Sequence, residues 1–268
     1  MKRKSHIPVF QVDAFTTDSR FSGNPAAICL LEKACDAIWM QAVAAEMNLS
    51  ETAFVWPYED GFELRWFTPA IEVDLCGHAT LATAHILWEQ DILNATDIVR
   101  FKTRSGWLQV KQSASWIELD FPAQTTVQVD APAGLLSALG IEQATVYACS
   151  PDYLVSVASA SQLRALSPDF SRLKEIDMRG VVVTAVADEP GIDFVLRFFG
   201  PAAGINEDPV TGSAHCALYP FWQKRLHKSD LIAQQISARG GLLKLRGQGE
   251  RVFISGKAVT VMSGELYV

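Results

Sequence analysis

The 268-residue sequence has no apolar run of membrane-spanning length. Its longest candidate, Val181 to Ala187, reads as a buried strand. It has no C-x-x-C pair, and its cysteines (Cys29, Cys35, Cys76, Cys149 and Cys216) are odd in number, so they read as free thiols in a reducing cytoplasm. It lacks an excess of basic residues. The formal net charge of −7 argues against a nucleic-acid surface, which needs a basic face. A small anionic substrate stays open, because a local pocket can oppose the global sign. Neither G-x-G-x-x-G nor G-x-x-x-x-G-K-[ST] occurs, so nucleotide binding has no support. No G-x-S-x-G elbow occurs. The grouping Ser213, His215 and Asp208 is no triad either, since positions two apart on a helix face different sides. Met1 to His6 is basic, but Ile7 to Asp13 is too short and polar for a signal segment, so a cytoplasmic chain is expected.

What is present is ordinary globular material, 49% hydrophobic and 20% charged, in a length that suits one large domain or two of middle size. Strands are expected over Ile7–Phe15, Ala26–Leu31, Thr52–Trp56 and Phe62–Phe67, then around 98–103, 107–112 and 116–121. Asp36 to Met47 has helical spacing with Asp36 as N-cap. Gly77 to Glu89 is apolar or small on several faces and reads as a buried helix. The polar, proline-bearing stretch Pro122 to Pro132 is taken as the domain junction, dividing the chain at 1–124 and 125–268. The last strand, near 258–268, is allowed to return to the first domain. Beyond the junction come short helices from Pro132, Ser161 and Ser167, strands near 145–149, 153–158, 181–187 and 194–199, a helix over Thr211–Arg225, and a strand-rich tail.

The second half echoes the first. Leu64-Arg65-Trp66-Phe67-Thr68-Pro69-Ala70 returns as Leu196-Arg197-Phe198-Phe199-Gly200-Pro201-Ala202, roughly 130 residues later. In both copies a strand ends, a loop follows and a glycine opens a buried helix. Duplication predicts an α+β fold of two pseudo-symmetric domains, each a curved sheet around a central helix, with a cleft between them.

Two helix starts are expected at that cleft, one at Cys76-Gly77-His78 and one at Thr211-Gly212-Ser213. A helix N-terminus offers unpaired N–H groups and partial positive charge, and glycine lets a ligand approach. Read singly, each is more simply a well-capped core helix, and the pair together favours the binding reading. Glu51 falls where a helix ends and an apolar strand begins, a place where partial desolvation suits a carboxylate to acid/base work. A solvated loop glutamate explains the same position. Asp208 precedes the second helix and is open to reading as a plain cap. His78 near a positive helix end is expected to stay neutral and donate one hydrogen bond. A metal site of Cys76, His78 and His85 fails, because the histidines are separated by roughly 10 Å of helix rise.

Taken together, Asp13-Ala14-Phe15-Thr16, Phe21-Ser22-Gly23-Asn24-Pro25-Ala26, Leu49 to Val55, Arg65-Trp66-Phe67-Thr68-Pro69, Cys76 to Thr80 and Glu207 to His215 resemble the PhzF-type phenazine-biosynthesis proteins. The resemblance implies a diaminopimelate-epimerase-like fold and, by analogy, a homodimer. It implies a cofactor-free and metal-free isomerase that moves a proton in a small carboxylate-bearing metabolite. Glu51 maps onto the proton shuttle and His78 and Asp208 onto its catalytic partners. Asn24, Gly77, Gly212 and Ser213 map onto substrate-binding positions. Related racemases use two thiols. Cys76 holds the first thiol position here, but the second reads Asp208-Pro209, which disfavours racemase chemistry. An amino-acid racemase using Cys76 and a non-catalytic binding protein stand as the alternatives.

Overall fold

The computed structural model describes residues 6–17, 19 and 21–267. The basic start at residues 1–5 lies outside them. The chain divides into two compact units, Met1–Asp120 with Ser255–Val268, and Phe121–Ile254.

In the first unit the elements are β1 (His6–Ala14), β2 (Asn24–Leu30), α1 (Ala37–Met47), β3 (Glu51–Tyr58), β4 (Gly61–Phe67), β5 (Glu72–Val73), α2 (Gly77–Glu89), β6 (Val99–Thr103), β7 (Gly106–Ser113) and β8 (Trp116–Pro122). A late strand, β18 (Ala258–Tyr267), completes it. β1 pairs antiparallel with β2 and β18. β2 runs parallel to β3, which needs a crossover, and α1 supplies it. β3, β4 and β5 are antiparallel neighbours. β4 is parallel to β6, and that second crossover is α2. β6, β7 and β8 follow as a meander.

α2 is the centre of this unit. Eleven of its thirteen residues are buried, His85 and Glu89 being the exceptions, and it packs on β1, β2, β3 and β18. A helix so enclosed must be small, and Gly77, Ala79, Ala82 and Ala84 make it so. Two threonines are tolerated there because Thr80 and Thr83 donate their hydroxyls to the carbonyls of Cys76 and Ala79, at 2.5 and 2.7 Å. α1 begins at Asp36, whose carboxylate accepts from the N–H groups of Ile38 and Trp39. It ends at Asn48 in the left-handed conformation, and β3 starts three residues later at Glu51.

The second unit repeats this connectivity. Its elements are β9 (Val127–Val129), α3 (Leu135–Leu139), β10 (Thr145–Cys149), β11 (Asp152–Ser156), α4 (Ala160–Arg164), α5 (Phe170–Lys174), β12 (Val181–Val186), β13 (Phe194–Gly200), β14 (Ile205–Asp208), α6 (His215–Leu226), β15 (Asp230–Gln235), β16 (Gly241–Gln248) and β17 (Arg251–Gly256). β10 pairs antiparallel with β9 and β11. β11 is parallel to β12, across α4 and α5. β12, β13 and β14 are antiparallel neighbours. β13 is parallel to β15 across α6, and β15 pairs antiparallel with β16. β9 does here what β18 does in the first unit.

The echoed sequence carries equivalent interactions in both units. Arg65 grips Glu72 with two hydrogen bonds of 2.6 and 2.7 Å and lies 5.2 Å from the Phe67 ring centre. Arg197 grips Glu207 with bonds of 2.8 and 2.9 Å and lies 4.9 Å from the Phe199 ring centre. A bidentate guanidinium–carboxylate pair backed by an aromatic face therefore fixes the end of the central antiparallel strand in each unit.

α6 contains Pro220, which has no N–H for the carbonyl of Cys216. That carbonyl accepts instead from the N–H of Gln124, at 2.8 Å. The polar stretch after Pro122 thus satisfies a helix that its own sequence leaves one bond short. Trp222 on the same helix donates to the Thr184 hydroxyl at 3.0 Å, and Thr184 donates onward to the Val195 carbonyl at 2.7 Å.

Candidate active site

Three candidate residues meet in the first unit. Glu51 is the first residue of β3 and lies beside Ala26 in the parallel register with β2. Cys76 is the N-cap of α2, in extended conformation and making no capping bond through its side chain. His78 is the second residue of α2, so its ring leaves the helix at its electropositive end. The Cys76 sulfur lies 3.5 Å from His78 Nδ1, and His78 Nε2 lies 3.1 Å from a Glu51 carboxylate oxygen. The imidazole is therefore bracketed by thiol and carboxylate. The Glu51 approach is an ion-pair distance without hydrogen-bond alignment. Among the described residues, neither Glu51 Oε2 nor His78 Nε2 finds a hydrogen-bond partner, although both atoms are buried.

The electrostatics correct one expectation. Burial opposes charge on His78, but the Cys76 sulfur and the Glu51 carboxylate outweigh it and hold its proton affinity well above the ordinary histidine range. Burial and the Glu51 charge push the Cys76 thiol up as well, which leaves the Glu51 carboxylate as the charge that favours a proton on His78. The Glu51 carboxylate at 3.1 Å thus opposes the helix end, which on its own favours the neutral ring.

Asn24 opens β2 and is fully buried, two residues before the position facing Glu51. Gly77 is the first residue of α2 and is buried. His85 is turned to other partners, the Thr260 hydroxyl at 3.1 Å and Glu89 at 3.5 Å. Among the described residues, the group able to ligate a metal is not Cys76, His78 and His85 but Glu51, Cys76 and His78.

The remaining candidates lie in the second unit. Asp208 ends β14, and its carboxylate accepts from the Thr211 hydroxyl. A buried amide clamps the turn: Gln235 donates to the Asp208 carbonyl at 2.7 Å and accepts from the Thr211 N–H at 2.8 Å. Ser213 Oγ accepts from Arg179 at 3.3 Å, and the same guanidinium is held by the buried Asp152. Gln235, Arg179 and Asp152 carry no motif, and no sequence signal would have found them.

The expected helix over 211–225 is also modified. Gly212 and Ser213 sit on a 3₁₀ turn, Gly212–Ala214, and the α-helix begins at His215. The cause is local. The His215 ring donates from Nδ1 to the Thr211 carbonyl at 2.9 Å, taking the acceptor that an α-helical turn would offer to a main-chain N–H. Burial then lowers the His215 pKa to about 4. The unfolded chain takes up this proton below about 6.5 and the folded chain only near 4, so acid favours unfolding across that window. His215→Asn, which keeps a donor near the Thr211 carbonyl, is expected to remove roughly 3 kcal/mol of acid-dependent instability between those limits. Urea midpoints of both proteins from neutral pH down to pH 4 check this. Parallel curves would show that His215 does not titrate as its burial requires.

Comparison with known proteins places the chain. The family model described as phenazine biosynthesis-like protein matches residues 12–264. A Halalkalibacterium halodurans protein named as an uncharacterized isomerase is 53% identical over 260 residues, covering 97% of this chain and 98% of its own. A crystal structure of a PhzF-family phenazine biosynthesis protein from Enterococcus faecalis superposes with a TM-score of 0.93 at 41% identity, covering 98% of this chain and all of that one. A hydroxyproline epimerase from Agrobacterium vitis shares the fold, with a TM-score of 0.68 at 10% identity over all of this chain and 94% of its own. The fold is thus the α+β, epimerase-like one that the duplicated sequence and its motifs imply, and the chain belongs to the phenazine biosynthesis-like (PhzC-PhzF) family.

Proposed function

We propose that the protein is an isomerase, working without a cofactor, that moves a proton and a double bond within a small carboxylate-bearing substrate. Glu51 is the base. The observation that carries the reading is the buried Glu51 oxygen without a hydrogen-bond partner among the described residues, beside His78 at the start of α2. The isomerase named among the relatives supports it.

In this reading the substrate carboxylate sits against the first N–H groups of α2, at Gly77 and His78, where the helix end favours negative charge. Glu51 takes a proton from the carbon next to the carboxylate, and the pair of electrons left behind spreads onto the carboxylate oxygens. The imidazolium of His78 and the helix end stabilise that charge as it develops. The protonated Glu51 then returns the proton at another atom, so nothing is consumed. Asp208 and Ser213 keep the roles that the resemblance implies, a catalytic partner and a substrate-binding position. The homodimer and the cytoplasmic setting implied by the resemblance belong to the same proposal.

Cys76 supports a second reading. Its thiol is 3.5 Å from the same imidazole, close enough to serve as a second acid in a racemase. Full activity of Cys76→Ala would exclude it.

Proton NMR of cyclic and amino carboxylic acids in D₂O tests the proposal. Solvent deuterium entering a substrate, with a shifted double bond in the product, is the expected result. Binding of several such acids with no exchange in any of them would identify a binding protein instead.

A further inference from the structure

The ligating atoms of Glu51, Cys76 and His78 (a carboxylate oxygen, a sulfur and a ring nitrogen) all lie within 4.8 Å of one another. Around a tetrahedral zinc-type ion, bonds of about 2.0–2.3 Å place ligand atoms roughly 3.3–3.8 Å apart. The cluster therefore closes on an ion with shifts of about an ångström, within reach of side-chain rotation. Among the described residues these side chains mainly face one another, the Cys76 sulfur 3.5 Å from His78 Nδ1 and His78 Nε2 3.1 Å from Glu51, contacts that an ion would replace. Glu51 Oε2 and His78 Nε2 have no hydrogen-bond partner there, and the Cys76 sulfur caps no helix N–H. Cys76 and His78 are each 6% exposed, so ordinary solvation does not satisfy them.

The donor set is selective. Sulfur with nitrogen suits zinc, cobalt and their neighbours and not the oxygen-seeking magnesium or calcium. Binding displaces the Cys76 thiol proton, and any proton on the ligating His78 nitrogen, to solvent, and the resulting thiolate and carboxylate bring two negative charges that match a divalent ion. The partial charge of the α2 end opposes a cation by only about 0.3–1 kcal/mol, far less than the ligand bonds supply. Three protein ligands leave the fourth position open to water or an added anion.

We infer that Glu51, Cys76 and His78 form a binding site for a thiophilic divalent cation of the zinc type, and that its occupation switches the enzyme off. The metal takes the Glu51 electron pair that would accept the substrate proton, so it acts as a reversible inhibitor. That consequence rests on the reading of Glu51 as the base, whereas the binding itself does not.

Cobalt(II) chloride titrated into the full chain reads the site directly. The expected result is one equivalent bound, with visible bands of tetrahedral intensity, a near-ultraviolet sulfur-to-cobalt band, displacement by zinc chloride and reversal by EDTA. Cys76→Ser should lose the sulfur band and bind about 100-fold more weakly. Glu51→Gln should keep the band and bind about tenfold more weakly. Cys35→Ser, which removes a more exposed thiol, should behave as wild type. Should Cys76→Ser fail to fold, His78→Gln takes its place, with the sulfur band kept and binding weakened about 100-fold. No stoichiometric binding in wild type, or a sulfur band that survives in Cys76→Ser, overturns the site. Deuterium exchange that stops with one equivalent of zinc and resumes with EDTA supports the switch. Undiminished exchange in the zinc-loaded protein overturns the switch and the Glu51 base, while the cobalt spectrum still decides the site.

Discussion

Glu51→Gln is expected to lower proton exchange by about 10²–10⁴-fold while the folded protein persists, a barrier increase of roughly 3–5 kcal/mol. Glutamine keeps the shape and the donor and acceptor capacity of the side chain but cannot take a proton from carbon. The fold should tolerate it. The oxygen concerned makes no hydrogen bond to a described residue, so no such bond is broken, and His78 adjusts by giving up its proton. The stability change should stay within about 1–2 kcal/mol. His78→Gln should fall between wild type and Glu51→Gln, because it removes charge that stabilises the transition state and leaves the base in place. Exchange rates from proton NMR in D₂O, with urea unfolding of each variant, check the three proteins together. A Glu51→Gln protein as active as wild type would falsify the one-base mechanism.

Some of this is written in short stretches of sequence. The Asp36 cap needs only its own next three residues, and the burial of α2 is announced by its run of small and apolar side chains. The duplication is legible because Arg65 and Arg197 do the same work within nearly the same heptapeptide, each pairing with a carboxylate a few residues on. The meeting of Glu51 with Cys76 and His78 is not legible from the residues themselves. It depends on the parallel pairing of β2 with β3 and on the return of α2 to that end of the sheet. For the same reason the surroundings of the His78 ring are hidden from a reader of the sequence. Its helix position is local information, but the carboxylate that raises its proton affinity comes from 27 residues away, as Glu51. The helix geometry that separates His85 from Cys76 and His78 is sound, and the third side chain that does join them, Glu51, comes from a strand that helix spacing cannot reveal. The 3₁₀ turn at Gly212 is hidden because a side chain, the His215 ring, takes a main-chain acceptor.

Gly23→Ala is expected to be the most damaging small substitution in the first unit. Gly23 sits in the turn between β1 and β2 with φ of +77°, a region that residues with a side chain avoid. That alone costs about 1 kcal/mol, and other glycines share it. Gly106 has φ of +101° with nothing within 4 Å of an added Cβ, so Gly106→Ala should cost only about 1–2 kcal/mol. At Gly23 the added carbon would lie 2.3 Å from the Ala14 carbonyl oxygen and 3.1 Å from the Thr16 nitrogen. Both are main-chain atoms, and Ala14 is tied into the β1 ladders with β2 and β18. Relief requires moving one strand end away from the other. That displaces Asn24, the next residue, and with it the end of β2 that runs beside Glu51. The expected loss is more than about 4 kcal/mol, most of the stability of a domain at the low end of the ordinary range. Expression and urea unfolding of Gly23→Ala and Gly106→Ala side by side separate the two contributions. Equal, small losses would mean that the chain around Gly23 yields, and that its place before Asn24 is a matter of backbone conformation alone.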